Sequence, residues 1–314
     1  MDAEDLVDGV LAGERRAVAR AISMVEDGAN GLPELIAGLY PRTGRAYTVG
    51  LTGSPGVGKS SLATELVKAA RTHDRTVAVL AIDPTSPFTG GALLGDRLRM
   101  QAHATDPNVF IRSMATRGHL GGLALAAPEA VRVLDAAGAD LVLVETVGVG
   151  QAEVEVATTA DTTLVVVAPG WGDAVQASKA GILEIADVFV VNKADREGAG
   201  EAVRDLELML KMGPDLPWTP PVVRTSTVNA EGVQDLWEAI EGHRKHLESS
   251  GELDRKRRER ILREVEEMVS VRLRARAADL LETGALEALA DDLVSRRVDP
   301  YRAADILIER LEIG

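Results

Sequence analysis

The sequence contains no cysteine, few aromatic residues and no apolar run long enough to cross a bilayer. Without cysteine the chain can form neither disulfides nor thiolate metal sites, and it has no cysteine nucleophile. Aromatic residues make up 3% of the chain, which argues against stacking platforms for single-stranded nucleic acid. A membrane-spanning helix needs about 20 consecutive apolar residues. We therefore expect no insertion into a membrane.

The chain also has fewer basic than acidic residues. The 314 residues include 35 Lys and Arg against 49 Asp and Glu, a formal net charge of −14. Such a chain is poorly suited to bind a nucleic-acid backbone or an anionic membrane surface. Its N-terminus, MDAEDLVDGV, lacks the basic and then apolar pattern of a signal peptide. Hydrophobic residues reach 46%, so we expect a packed core. Since the sequence shows neither a signal-peptide pattern nor a membrane-spanning run, we expect a soluble cytoplasmic protein.

The chain divides into three segments by pattern. Residues 1–45 carry apolar positions at helical spacing with a break at Gly13, which predicts an N-terminal helical extension ending in an irregular linker with room for one helical turn. Residues 46–250 alternate short apolar runs with helical patterns, which is typical of an α/β domain with a mostly parallel sheet covered by helices. The predicted strands lie at 46–52, 76–82, 108–112, 140–146, 162–168, 187–192 and 221–226.

The last segment, residues 251–314, predicts a long and highly charged helix followed by shorter ones. Asp299 and Pro300 have the residue types of an N-cap and a first helical position. A charged helix with a single apolar stripe usually needs a partner helix. The segment is therefore either a helical dimerisation arm or a helix laid back over its own domain. The stripe consists of Leu262, Val265, Val269, Leu273, Ala277 and Leu280.

The most specific motif is GSPGVGKSS at 53–61, which matches the phosphate-binding pattern G-x-x-x-x-G-K-[ST] between a strand and a helix. Backbone N–H groups of such a loop, together with the helix N-terminus, bind phosphate. Lys59 is expected to contact the β- and γ-phosphates, and Ser60 to bind Mg²⁺. The candidate phosphate-binding residues are Gly53, Ser54, Pro55, Gly56, Val57, Gly58, Lys59, Ser60 and Ser61.

Two later segments indicate that the base is guanine. The tetrad NKAD at 192–195 follows a predicted strand, and the Asp195 carboxylate can accept hydrogen bonds from N1 and N2 of guanine. Adenine offers no such pair of donors, so the carboxylate would be left unpaired. The segment TSTVNAEG at 225–232 could donate to the guanine oxygen. The candidate base-binding residues are Asn192, Lys193, Asp195, Ser226 and Thr227.

Acidic residues at strand ends are candidate Mg²⁺ ligands and catalytic residues. Glu145 and Gly148 resemble the D-x-x-G motif of GTPases with Glu in place of Asp, and Gly148 would approach the γ-phosphate. Val149 stands where Ras-like proteins have a water-orienting Gln, so slow intrinsic hydrolysis is expected. Asp83 ends a predicted strand and Asp96 lies in the Gly-, Pro- and Thr-rich segment after it. Either could hold Mg²⁺, or be only an N-cap.

These segments together resemble the methylmalonyl-CoA mutase-associated GTPases, the MeaB/ArgK family of metallochaperone-type P-loop GTPases. The resemblance implies a homodimeric GTPase that serves adenosylcobalamin-dependent methylmalonyl-CoA mutase as a chaperone, gating cofactor loading and protecting or reactivating the mutase. It also implies that residues 169–181 are a third switch loop, in which Lys179 couples the nucleotide state to the partner. The matching segments are GSPGVGKSS, IDPTSPFTGGALLGDRLRM, MATRGHLGG, ETVGVGQAE, PGWGDAVQASKAGILEIADVFVVNKAD and TSTVNAEGV.

The ligands and roles follow from the motifs and this resemblance. We expect GTP or GDP with Mg²⁺, and no directly bound cobalamin, because the five histidines form no cobalt-site pattern. Hydrolysis is expected to be slow for the protein alone and stimulated by its partner. The candidate Mg²⁺ ligands are Ser60, Asp83, Asp96 and Glu145. The candidate catalytic residues are Lys59, Asp83, Asp96, Glu145 and Lys179.

The sequence leaves three alternative functions to compare with this one. A metal-inserting GTPase needs Cys or His ligands, and the sequence has no cysteine and no histidine cluster. A transport-system kinase of the ArgK type would normally select adenine, which the NKAD tetrad disfavours. A nucleotide-switched interaction protein with negligible catalysis would differ from a GTPase only in its turnover.

Overall fold

The computed structural model describes residues 3–83, 103, 105–115, 122–146, 158–170, 185–282 and 284–313. Contacts divide the chain into two compact units, Met1–Arg260 and Ile261–Gly314. Within the described ranges, no helix is both long enough and apolar enough to span a membrane.

The chain begins with three helices, α1 (Ala3–Leu11), α2 (Arg15–Asp27) and α3 (Leu32–Leu39), and a 3₁₀ turn at Tyr40–Arg42. Gly13 lies between α1 and α2 with φ +71°, a left-handed conformation that ends α1. Helix α3 is longer than the single turn that the sequence predicted. Pro33 sets the backbone of its first turn, and Leu35 and Leu39 are fully buried on one face.

Seven parallel strands form one sheet in the order β3-β2-β4-β1-β5-β6-β7, which confirms the predicted fold class. Strand β7 is shorter than predicted, because the backbone of Ser226 leaves β6 and pairs instead with Glu231. The strands are β1 (Tyr47–Thr52), β2 (Val77–Asp83), β3 (Val109–Ala115), β4 (Leu141–Thr146), β5 (Thr162–Val167), β6 (Val188–Val191) and β7 (Val222–Arg224).

Helices bury both faces of this sheet. They are α4 (Lys59–Thr72), α5 (Gly122–Ala136), α6 (Ala199–Met212) and α7 (Val233–Ser250). Along β4, Val142 and Val144 join the core formed with α5 and the three N-terminal helices. Leu141 and Leu143 point the other way, into the core formed with α4 and α7. Two-sided burial is why the strands read as continuous apolar runs.

The C-terminal region contains α8 (Glu252–Glu282), a 3₁₀ turn (Glu287–Leu289), α9 (Ala290–Val294) and α10 (Pro300–Ile313). The Asp299 carboxylate accepts hydrogen bonds from the N–H groups of Tyr301, at 2.9 Å, and Arg302, at 3.1 Å. This confirms Asp299 as the N-cap of α10. On α8, about half of the side-chain surface is exposed at each of four stripe positions, Leu262, Val265, Val269 and Leu273.

Candidate nucleotide site

The strand order brings the predicted site segments to one edge of the sheet. Strand β1 lies between β4 and β5, and β6 is next to β5. All are parallel, so their carboxyl ends share an edge, where ligands of open α/β sheets bind. This edge carries the 53–61 loop after β1, Glu145 near the end of β4, and the 192–195 tetrad after β6.

Two glycines in the 53–61 loop make close approaches that a side chain would prevent. Gly53 has φ +134°, and a Cβ atom there would lie 2.1 Å from the carbonyl oxygen of Val166 on β5. Gly58 has φ +99°, and its Cβ would lie 2.4 Å from Nδ2 of Asn192. Helix α4 begins directly afterwards, at Lys59. The loop therefore presents backbone and a helix N-terminus, the two features that bind phosphate.

The Lys59 side chain is folded back over this loop. Its Nζ donates hydrogen bonds to the carbonyl oxygen of Gly53 and, at 3.2 Å, to that of Ser54. The side chain is buried, with 5% of its surface exposed. An ammonium group held by neutral carbonyls is well placed to exchange them for phosphate oxygens, which form stronger charge-assisted hydrogen bonds.

Two of the candidate Mg²⁺ ligands are in direct contact. The Ser60 hydroxyl at the start of α4 donates to Oε1 of Glu145 on β4, at 2.5 Å. Both side chains are buried. A hydroxyl and a carboxylate are the hard oxygen donors that Mg²⁺ prefers, so the pair fits this ion. Asp83 is the last residue of β2, but its side chain lies outside the described residues, as do Asp96, Gly148 and Lys179.

Asn192 joins three segments of the site. Its Nδ2 donates to the carbonyl oxygen of Val57 in the 53–61 loop at 2.8 Å, and its Oδ1 accepts from the Thr225 hydroxyl at 3.1 Å. Asn192 and Thr225 are fully buried. Next to it, Lys193 has φ +58° and donates from Nζ to the carbonyl oxygen of Gly56 at 2.5 Å. The tetrad and the loop are therefore bound to each other by side chains.

Asp195 and Ser226 form the outer part of this arrangement. The Ser226 hydroxyl donates to Oδ1 of Asp195 at 2.7 Å, and this bond holds the pKa of Asp195 below its usual value. The Ser226 backbone is fixed by a reciprocal pair of hydrogen bonds with Glu231, at 3.0 and 3.1 Å. Asp195 remains exposed and Thr227 is half-buried. An ionised, oriented carboxylate at this edge can accept two N–H groups from a ligand.

The sequence interpretation missed the structural part that Thr225 plays. The segment TST directly after the last strand was the available signal, but nothing in its spacing assigned the first threonine to Asn192. The hydroxyl of Thr225 and the carbonyl of Val57 hold opposite ends of one amide. Together they set the orientation of Asn192 at the junction.

A comparison with protein families identifies the chain. The family model described as methylmalonyl Co-A mutase-associated GTPase MeaB matches residues 18–281. The chain belongs to the MeaB family of GTPases. The match spans the 53–61 loop, the 192–195 tetrad and most of α8, so the resemblance stated from the sequence is confirmed.

Two relatives illustrate the range of this family. A provisionally named GTPase of Pyrococcus abyssi is 50% identical over 312 residues, covering 98% of this chain and 96% of that protein. A Caenorhabditis briggsae protein named methylmalonic aciduria type A homolog, mitochondrial, is 36% identical over 277 residues, covering 82% of this chain and 67% of that protein.

A solved structure shares the MeaB-family fold. It is described as the crystal structure of a LAO/AO transport system kinase, with a TM-score of 0.73 and 24% sequence identity, covering 99% of this chain and 97% of that one. The likeness supports the fold alone.

Proposed function

We propose that this MeaB-family protein binds and slowly hydrolyses GTP, and that it is a cytoplasmic chaperone of an adenosylcobalamin-dependent methylmalonyl-CoA mutase. In this role it gates cofactor loading and protects or reactivates the mutase. The observation that carries the nucleotide assignment is the bonding of Asn192 and Lys193 to carbonyls of the 53–61 loop. These bonds join a phosphate-binding motif and a guanine-binding motif into one arrangement.

Each described side chain has a role in this proposal. Lys59 exchanges its two loop carbonyls for oxygens of the β- and γ-phosphates. Ser60 and Glu145 would hold Mg²⁺, and the bound ion would supply positive charge to offset the negative charge of the phosphates. Asp195 accepts the two guanine N–H groups, and Ser226 keeps its carboxylate ionised and oriented. From their sequence motifs alone, Asp83, Asp96 and Gly148 are proposed to act on the γ-phosphate.

The proposed partners are inferred from the names of the family and of a relative, and from the exposed stripe of α8. The family is named for methylmalonyl-CoA mutase, and a relative is named for methylmalonic aciduria. Lys179 in the 169–181 loop is proposed to stabilise the γ-phosphoryl transition state when the mutase is bound. The exposed stripe of α8 is proposed to pair with that of a second copy, giving a homodimer. Cobalamin is proposed to remain on the mutase.

One experiment tests the nucleotide and partner assignments together. GTP and ATP turnover are measured for the wild-type protein, for Lys59→Ala and for Lys179→Ala, each with and without an adenosylcobalamin-dependent mutase. We expect GTP-specific turnover, loss of turnover in Lys59→Ala, and mutase stimulation that Lys179→Ala largely removes while keeping basal turnover. Equal turnover of ATP would contradict the guanine assignment. A wild-type protein that no such mutase stimulates would contradict the partner role.

A further inference from the structure

A buried carboxylate joins the amino ends of β1 and β5, at the edge of the sheet opposite the proposed nucleotide site. Asp161, directly before β5, is fully buried. Its Oδ2 accepts from the backbone N–H of Thr48 at 3.0 Å, and its own N–H donates to the Thr48 carbonyl at 2.8 Å. The two strands are thus held in one register at their starting points.

Two arginines of α8 neutralise this carboxylate. Arg257 donates from Nη2 to Oδ2 of Asp161 at 2.7 Å, and Arg260 donates from Nη2 to Oδ1 at 2.9 Å. Burial acts to raise the pKa of Asp161, but the two guanidinium groups outweigh it and hold that pKa below its usual value. Asp161 is therefore a buried anion, and its charge requires α8 to be in place.

Arg257 also contacts the residues that lead into β1. Its Nη1 donates to the carbonyl oxygen of Gly44 and its Nη2 to that of Ala46, both at 2.8 Å. One planar guanidinium therefore bridges the amino ends of β1 and β5. A lysine could not reproduce this, because its ammonium lacks the fixed fork of donors.

The next pair of strands is held in the same way. Asp187 lies directly before β6. Its Oδ2 accepts a hydrogen bond of 2.8 Å from the Thr163 N–H, and its own N–H donates to the Thr163 carbonyl at 3.0 Å. Its Oδ1 lies 3.2 Å from Nζ of Lys256 and 3.3 Å from Nε2 of the buried His243. We name Lys256, Arg257 and Arg260 the α8 clamp.

At the carboxyl ends of β1, β5 and β6, two glycines pack closely against neighbouring atoms. Gly53 after β1 is packed against the Val166 carbonyl of β5, and Gly58 against Asn192 after β6. The strands between are only four to six residues long and are joined by continuous backbone ladders. Because interiors are close-packed, a shift of one strand against the next at its start is transmitted to its end.

We infer that the α8 clamp, acting on Asp161 and Asp187, positions the phosphate and base segments of the proposed nucleotide site. The inference rests on the proposed function, since it concerns how well that site binds nucleotide. By linkage, a nucleotide that needs this strand arrangement also stabilises the clamp. Asp161 and Arg257 are positioning residues: they act on nucleotide through β1 and β5.

The same helix supplies a matched control. Arg255 forms ion pairs with Glu252 at 3.4 Å and Glu259 at 3.0 Å, on the exposed side of α8 and within the helix itself. Exposed pairs of this kind contribute little to stability. Arg255→Gln therefore changes the charge of the segment by one without touching a strand.

The test uses the full-length protein as wild type, Asp161→Asn, Arg260→Gln and Arg255→Gln. GDP affinity is measured by calorimetry at a temperature where circular dichroism shows every variant folded. We expect about tenfold weaker binding for Asp161→Asn, within the usual range of coupling between sites. Arg260→Gln keeps Arg257 on Asp161, so a smaller loss is expected, and Arg255→Gln should bind like wild type. Arg260→Gln decides the question if Asp161→Asn does not fold.

Hydrogen exchange provides the readout that a purely structural role would not change. In Asp161→Asn the amides of residues 53–60 should exchange faster than in wild type, while those of α3 should be unaffected. Folded Asp161→Asn and Arg260→Gln variants that bind GDP as tightly as wild type would overturn the inference, and the clamp would then only support the fold. A wild-type protein that binds no GDP would overturn the proposed function, and the inference with it.

Discussion

At the residue scale, the proposed guanine selectivity depends on one carboxylate and its hydroxyl donor. Ser226 holds Oδ1 of Asp195 at 2.7 Å, and the same bond lowers the pKa of Asp195. The carboxylate is therefore ionised at neutral pH and restricted in rotation before any ligand arrives. Asp195 is exposed, so its second carboxylate oxygen, Oδ2, is accessible to the N–H donors of a base.

Asp195→Asn should weaken GTP binding and favour xanthosine triphosphate, because the amide donates where the carboxylate accepted. The loss for GTP should be about 10- to 100-fold, as expected for charge-assisted hydrogen bonds. Calorimetry with both nucleotides checks the exchange of preference. Ser226→Ala is the matched control, and it should bind GTP more weakly while still preferring it to xanthosine triphosphate. Unchanged GTP affinity in Asp195→Asn would contradict the guanine assignment.

A second residue-scale feature is the buried His243. Its Nδ1 shares a hydrogen bond of 2.8 Å with the Thr162 hydroxyl, and Nε2 lies 3.3 Å from Asp187. Trp218 packs 5.0 Å from the imidazole, between ring centroids. A hydroxyl, an imidazole and a carboxylate in a row resemble a nucleophilic triad. His243 and Thr162 are fully buried, however, so no substrate can reach them and the row is structural.

Protonation of His243 should make stability depend on pH. Burial lowers the pKa of His243 from 6.5 to about 4, so between these values the unfolded chain binds a proton that the folded protein does not. The contribution is fully present above pH 6.5 and is lost as the pH falls toward 4, at about 1 kcal/mol per pH unit. The depressed pKa of Asp161 acts only below this window.

Urea unfolding at pH 7, 6 and 5 measures this dependence. His243→Gln keeps a hydrogen-bonding side chain but cannot be protonated, so its stability should change less with pH than that of the wild type. A variant with the wild-type slope would show that other groups, and not His243, bind the proton on unfolding.

At the scale of an element, the 53–61 loop depends on the absence of side chains at two positions. Gly53→Ala would place a methyl group 2.1 Å from the Val166 carbonyl, at a φ of +134° that alanine rarely adopts. We expect no measurable GTP binding in calorimetry, with the sheet intact by circular dichroism. Gly200→Ala is the control, since its Cβ has no atom within 4 Å and it lies in α6. It should bind like wild type and be more stable by about 0.5–1 kcal/mol.

At the scale of the whole molecule, the half-exposed stripe of α8 is the feature that supports the proposed homodimer. Burying about half-exposed valine and leucine side chains against a second copy is favourable, at roughly 25 cal/mol per Å² of apolar surface. Charged residues flank the stripe along the helix, as in paired helices.

The double variant Val269→Glu, Leu273→Glu should be a monomer, because it places two like charges in the proposed seam. Sedimentation velocity at micromolar concentration measures the change, and nucleotide affinity should stay near wild type. Arg274→Gln, exposed on the same helix, should leave the assembly as it is. A wild-type protein that is already monomeric at this concentration would contradict the homodimer.

Fold class could be predicted from the amino-acid sequence, and so could the residues of the candidate site. Strand and helix follow from apolar periodicity, which is local, and the 53–61 and 192–195 motifs are continuous runs whose residue types suit phosphate and guanine. Their meeting at one edge also follows, because parallel strands place their carboxyl ends together. The alternation of apolar runs and helical patterns was therefore enough to predict where Lys59, Asn192 and Asp195 would gather.

How the opposite edge of the sheet is held could be seen only in the folded chain. An Ala-Asp pair directly precedes each of β4, β5 and β6, and this repeat was visible in the sequence. What could not be read from it is that Asp161 is fully buried and receives Arg257 and Arg260, which are 96 and 99 positions away. Contacts between residues so far apart have no local period, because they depend on how the finished sheet and α8 pack. For the same reason, the hydrogen bond between Thr225 and Asn192 could not be predicted from the sequence.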